Sequence, residues 1–169
     1  MPHGIKIFGL AMMLALAARA EAIDWQLHPA EGGRGVVLTF DAGQRVSYRF
    51  ECTVNDVIVT QKGVTKLMDL KNGQTVGDDA QAVMSPGAAM MALFGGKGDP
   101  RFIPADAVKN PAGGWDLTIH LLKGDKQLTA IGKSEMMSLF TTGYTTAVVM
   151  DATARAKWSD FMQRCEAAA

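Results

Sequence analysis

Arg45-Val46-Ser47-Tyr48-Arg49-Phe50-Glu51-Cys52-Thr53-Val54 is the stretch that decides the fold class. Val46, Tyr48, Phe50, Cys52 and Val54 share one parity, and Arg45, Ser47, Arg49, Glu51 and Thr53 share the other. A period of two marks a strand with one face on a core and the other in water. The segment therefore predicts a half-buried strand whose cysteine points inward.

The same pattern continues in both directions. Upstream, Ile23, Trp25 and Leu27 alternate before Pro29 and Gly32-Gly33-Arg34-Gly35, and residues 36–40 form a short apolar run turned by Asp41-Ala42-Gly43-Gln44. Downstream, Asn55-Asp56 turns into 57–60, and Gln61-Lys62-Gly63 leads to 64–70. Lys71-Asn72-Gly73-Gln74 then holds an Asn-Gly pair, a strong hairpin signal. Later, Trp115, Leu117, Ile119 and Leu121 alternate with Asp116, Thr118 and His120. Gly124-Asp125 turns the chain toward a strand at 128–131, and 144–150 is rich in β-branched residues. Short strands separated by turns predict a mainly β (α+β) fold, a single β-sandwich-like domain.

Two segments depart from this rhythm. Residues 78–114 read as an irregular insert rich in glycine and proline, the kind of loop that often carries function. Within it, Ser85-Pro86 ahead of 87–94 and Gly95-Gly96 predicts a short mid-chain helix with a serine cap, a proline at its first position and glycine past its end. At the C-terminus, Ala154, Trp158, Phe161, Met162 and Cys165 fall on one helical face, with Asp151 or Thr153 as the cap.

The chain has two cysteines, Cys52 and Cys165, both expected on buried faces. In an oxidising compartment an even count predicts a disulfide, here tethering the last helix to an early strand. The alternatives are two separate buried thiols or a catalytic thiol; the latter is disfavoured by inward-facing positions and by the lack of a CxxC pair.

Residues 1–22 supply the compartment. His3 and Lys6 precede an apolar run over 7–18, broken only by Gly9, and Ala18-Arg19-Ala20 and Ala20-Glu21-Ala22 follow as small-x-small sites. This is the anatomy of a cleaved signal peptide, and its run is shorter than the roughly 20 residues needed to span a bilayer. Residues 23–169 are then expected to form the one β-rich domain. Removing Lys6, Arg19 and Glu21 leaves 15 basic and 16 acidic side chains, a balance that argues against nucleic acid or anionic lipid as partner. No Asn-x-Ser/Thr sequon occurs, which fits a bacterial periplasm.

The chemistry-bearing residues form no recognised catalytic spacing. His28 and His120 fall in predicted strands, without HExxH, paired histidines or CxxC, so no zinc and no cofactor is expected. Asp78-Asp79 reads as a helix cap, and Ser85 lacks the GxSxG context of a serine hydrolase. Gly95-Gly96-Lys97-Gly98 resembles a phosphate loop in composition alone. Met68, Met84, Met90, Met91, Met136, Met137, Met150 and Met162 are copper(I) candidates, or flexible core fillers.

Trp25, the strand Tyr48-Arg49-Phe50-Glu51-Cys52-Thr53-Val54-Asn55 and the closing Phe161-Met162-Gln163-Arg164-Cys165 resemble small exported bacterial proteins. The chain looks similar to the secreted accessory proteins accompanying type VI secretion systems and, more loosely, to invasion-associated locus B proteins. That resemblance implies a non-enzymatic periplasmic role in a β-sandwich-like fold, and no functional residue is carried over from it. The leading expectation is a monomeric or weakly oligomeric periplasmic binding or accessory module contacting another envelope protein. Lys97, Arg101 and Phe102 in the insert are its candidate contact residues, because arginine and aromatic side chains dominate binding hot spots. The competing reading packs Phe102 and Ile103 on the sheet. An envelope hydrolase with a dispersed Asp/His/Ser site and a copper(I)-binding protein are the rival classes.

Overall fold

The computed structural model describes residues 24–32, 35–41, 47–79, 81–96 and 98–167. Along them run β1 (Asp24–Pro29), β2 (Val36–Asp41), β3 (Ser47–Cys52), β4 (Asp56–Val64), β5 (Leu67–Met68), β6 (Thr75–Val76), β7 (Ala89–Phe94) and β8 (Ile103–Lys109). The chain continues through β9 (Trp115–Leu122), α1 (Lys126–Ile131), β10 (Met136–Thr141), β11 (Tyr144–Val149) and α2 (Ala152–Ala167). Nine strands form one antiparallel sheet in the order β1-β2-β3-β4-β9-β8-β7-β10-β11, and β5 pairs with β6 beside it.

Strand β8 changes partner halfway along. Ile103, Pro104 and Ala105 pair with β7, whereas 106–109 pair with β9. A strand shared in this way turns a corner in the sheet, and the half made of β7, β10 and β11 comes to face the half made of β1–β4 and β9. Contacts across the interior record the curl. Tyr48 Oη on β3 donates to Thr146 Oγ1 on β11, and Gln61 Nε2 on β4 lies 3.3 Å from the same hydroxyl. The mainly β, sandwich-like architecture follows from the alternation: Tyr48, Phe50 and Cys52 are buried while Ser47, Arg49 and Glu51 are half-exposed. Trp115, Leu117, Ile119 and Leu121 point inward in the same way, with His120 outside.

Helix α2 packs over β1 and β2. Ala154, Trp158, Phe161 and Cys165 form its buried face, and Asp151 caps it by accepting from Ala154 N at 2.8 Å. Trp158 Nε1 donates to Leu128 O at 3.1 Å, so the indole is hydrogen-bonded inside the core as buried tryptophans require. Cys52 and Cys165 are joined by a disulfide, with Cα atoms 5.4 Å apart across 113 residues of sequence.

The structure departs from several local expectations. Residues 87–94 were expected as the mid-chain helix; 89–94 are β7, with Ala89, Met91 and Leu93 buried. Ser85-Pro86-Gly87-Ala88 is a tight turn, Ala88 N donating to Ser85 O at 3.0 Å and Gly87 at φ +66°, so Pro-Gly centres a turn here and does not open a helix. Gly95 serves close approach instead of helix termination: a Cβ there would stand 2.7 Å from the Ala130 carbonyl carbon. The short helix is α1, where a strand was expected at 128–131. Asp125 caps it by accepting from Gln127 N at 2.9 Å, and Leu128 and Ile131 share its buried side.

The insert 78–114 therefore holds β7 and β8, two integral strands, and is not irregular as a whole. Gln61-Lys62-Gly63 is no turn either: β4 runs through it with a register shift against β9, and the strand expected at 64–70 shrinks to β5. Val54, expected inside, is exposed because β3 stops at Cys52 and Thr53 N turns back to Asp56 O at 2.9 Å. The Asn72-Gly73 turn does join β5 to β6. Asp69 sits within it, its carboxylate accepting from the backbone N–H of Lys71 (2.9 Å), Asn72 (3.3 Å) and Ser85 (2.8 Å). The leader over 1–22, together with Ile23, Arg45 and Val46, lies outside the described residues. Among the described residues no helix is long and apolar enough to cross a membrane.

Candidate functional site

The strand parity of β7 and β10 decides which side chains leave the core. With Met91, Leu93, Met137 and Leu139 inside, the outer parity falls to Met90, Ala92 and Phe94 of β7 and to Met136, Ser138 and Phe140 of β10; Met136 is exposed, Met90, Phe94, Ser138 and Phe140 are half-buried, and Ala92 is fully covered. Most strands of this sheet place polar groups outside; here the outer face is largely apolar. Phe140 lies opposite Ala92 and Ser138 opposite Phe94 in the ladder, which sets the two phenylalanines on a diagonal with centroids 5.9 Å apart. Phe102, one residue ahead of β8, completes the cluster at 6.4 Å from Phe140. Tilted rings at this spacing attract beyond the area they bury.

Phe102 keeps 44% of its surface exposed, and Met136 49%. A run of aromatic and thioether groups on an outer sheet face, fixed to regular strands, is the kind of patch that marks an interaction surface. Its rim is polar. Arg101 Nη2 donates to Asp125 Oδ2, the same carboxylate that caps α1, so the candidate guanidinium is held beside the patch. With its amide turned so that each end meets a complementary group, Gln127 fixes the backbone there, its nitrogen donating to Leu93 O at 2.8 Å and its oxygen accepting from Arg101 N at 3.1 Å. Two open clefts flank α1. One, of about 480 Å³, runs along Arg101 and 124–127; the other, of about 570 Å³, is lined by Gly95, Gly96, Ala130, Lys133, Ser134, Glu135 and Met136. An apolar centre with a charged rim is the usual anatomy of a protein–protein contact.

Of the three candidate contact residues, Arg101 and Phe102 are brought to this face and Lys97 lies outside the described residues. Ile103, by contrast, is half-buried against the core. Phe94 and Phe140 are absent from the sequence-predicted site residues, and Met136 figures there only as a copper(I) candidate. Phe94 was assigned to a helix, and the parity of 136–141 was the signal that would have placed Phe140 outside.

The groups weighed for catalysis are scattered. His120 Nδ1 lies 3.5 Å from Asp56 Oδ2 on the outer face of β9 and β4, with its side chain 54% exposed. Among the described residues no hydroxyl donates to that imidazole. His28 Nε2 is 3.4 Å from Thr39 Oγ1 on the exposed side of β1 and β2, well separated in sheet order from His120. Asp79 accepts from Gln81 N at 3.0 Å in a local turn. Met91, Met137 and Met150 are buried in the core and Met68 and Met136 are exposed. Among the described residues no three His, Cys, Asp or Glu side chains gather as metal ligands.

No family model matches the chain, and neither a curated protein nor a solved structure does.

Proposed function

We propose that the protein is a non-enzymatic periplasmic accessory module that contacts another cell-envelope protein through the Phe94–Phe102–Phe140 face. The observation that carries this reading is the cluster itself: three aromatic rings on the outer side of β7 and β10, rimmed by the Arg101–Asp125 pair. Support for export comes from the signal-like residues 1–22 and from the Cys52–Cys165 bond, which persists in oxidising compartments. The likeness of Trp25, 48–55 and 161–165 to type VI secretion accessory proteins points to the same class of role.

The rigid sheet beneath the rings matters energetically, since a preordered surface loses little conformational freedom on binding. Crosslinked pull-downs from intact envelopes provide the test. Phe102→Ser should abolish recovery of a partner that the unaltered protein and a His120→Ser control both capture, while its melting temperature stays close to that of the unaltered protein. Equal recovery by all three contradicts the reading.

A further inference from the structure

Strand β11 ends the sheet order and, among the described residues, pairs with β10 alone. Its register is continuous from Met136↔Val149 to Thr141↔Tyr144, and Met150 N donates to Glu135 O at 2.9 Å. In an antiparallel ladder that bond fixes the parity of the whole strand. Tyr144, Thr146 and Val148 direct their N–H and C=O groups to β10, and Thr145, Ala147 and Val149 direct theirs to the open edge. All three are exposed, Val149 by 73%.

Sheet edges normally carry devices that prevent pairing: a lysine, a proline, a bulge or a covering element. Strand β1, at the other end of the order, includes Asp24 and Pro29. Strand β11 reads Tyr-Thr-Thr-Ala-Val-Val, without charge, proline or bulge.

We propose that two copies of this chain associate edge to edge through β11, antiparallel about a two-fold axis at Ala147. The edge is self-complementary in that register. Ala147 meets Ala147 of the second copy, Thr145 meets its Val149 and Val149 its Thr145, each pair exchanging two N–H···O bonds. Shifting the register by two residues in either direction leaves one of the three unpaired. Charge is compatible as well: over 143–151 only Asp151 is charged, and this register sets it against Gly143 of the second copy. A small residue at the axis lets the backbones approach. A second copy also brings its edge already formed as a strand, whereas an extended peptide must be ordered on binding. The isologous contact closes on itself, giving a dimer and not a filament, and it places the two apolar outer faces side by side.

Sedimentation and light scattering of the processed, oxidised protein test this. Wild type should show a concentration-dependent monomer–dimer equilibrium. Ala147→Lys and Ala147→Glu should each weaken association about fivefold or more, as a like-charged cross-strand pair does. An equimolar mixture of the two should recover a heterodimer, which only self-facing of position 147 predicts. Phe102→Ser should dimerise like wild type, so failure of the envelope-contact reading would be seen separately. Should the Ala147 variants fail to fold, amide exchange of wild type decides: protection at Thr145, Ala147 and Val149 that rises with protein concentration supports the dimer. A wild type that stays monomeric, charge variants that associate normally, a mixture without recovery, or edge protection only when an envelope partner is added would each overturn it.

Discussion

Trp158 of α2 stands edge-on to Phe50 of β3, ring centroids 5.0 Å apart and planes at 88°. The contact ties the last helix to the strand whose alternation defines the fold. Because Trp158 also donates to Leu128 O, one side chain links α2, β3 and α1. Trp158→Ala should cost about 3–5 kcal/mol of unfolding free energy, as large aromatic deletions in cores do. Trp158→Phe keeps most of the ring contact and should cost about 1–2 kcal/mol through the orphaned carbonyl. Urea denaturation of both variants checks the ranking; equal losses would show that the ring contact adds nothing beyond the hydrogen bond.

The disulfide reinforces the same junction covalently. Closing a loop of 113 residues restricts the unfolded chain by about 4–5 kcal/mol in the entropy model. The double variant Cys52→Ala/Cys165→Ala should lose stability on that order, and denatured, unreduced wild type should show no free thiol. Two equivalents of reactive thiol would contradict the pairing.

Tyr48 makes stability fall in alkali. Its burial between the half-sheets pushes the phenol pKa above the ordinary value of 10.0, with the hydrogen bond to Thr146 working against that rise. Below about pH 10 both states hold the proton and nothing is lost. Above it the unfolded chain releases a proton that the folded chain retains, so stability declines until pH passes the raised value. Tyr48→Phe should flatten this alkaline limb in denaturant titrations; an unchanged slope would place the cause elsewhere.

Asp69 acts at the other end of the scale. Hydrogen bonding from the Ser85 hydroxyl, followed by the backbone amides of Ser85, Lys71 and Asn72, holds its carboxyl below the usual range despite the opposing effect of burial. Its contribution is present above about pH 4, the value in the unfolded chain, and is lost as pH falls through the depressed folded value. Unfolding midpoints of Asp69→Asn should therefore vary less between pH 5 and pH 2 than those of wild type, within about the range that one carboxyl spans. Parallel curves would rule out this group as an acid-sensitive tie.

Much of this was legible in the residues themselves. The faces of β3, β9 and α2 and the disulfide follow from alternation and helical spacing, because one-sided burial leaves a period in the sequence. β7 was lost because Ala89-Met90-Met91-Ala92-Leu93-Phe94 is apolar on both parities, so no period separates strand from helix. Phe94 went unplaced for the same reason, whereas Phe140 was recoverable from the parity of 136–141. α1 was recoverable, since Asp125 followed by Leu128 and Ile131 three apart is a cap and a turn of helix. The change of partner within β8 depends on contacts between segments distant in sequence, and no local pattern encodes it.

The central claim, that the aromatic face is where an envelope partner docks, is tested most directly by site-specific photo-crosslinking in cells. A photoreactive amino acid in place of Phe102 should yield a discrete crosslinked species, whereas the same group in place of His120, on the outer face of β9, should yield none. Equal adducts at both positions, or none at position 102 with protein at normal abundance, would contradict the account.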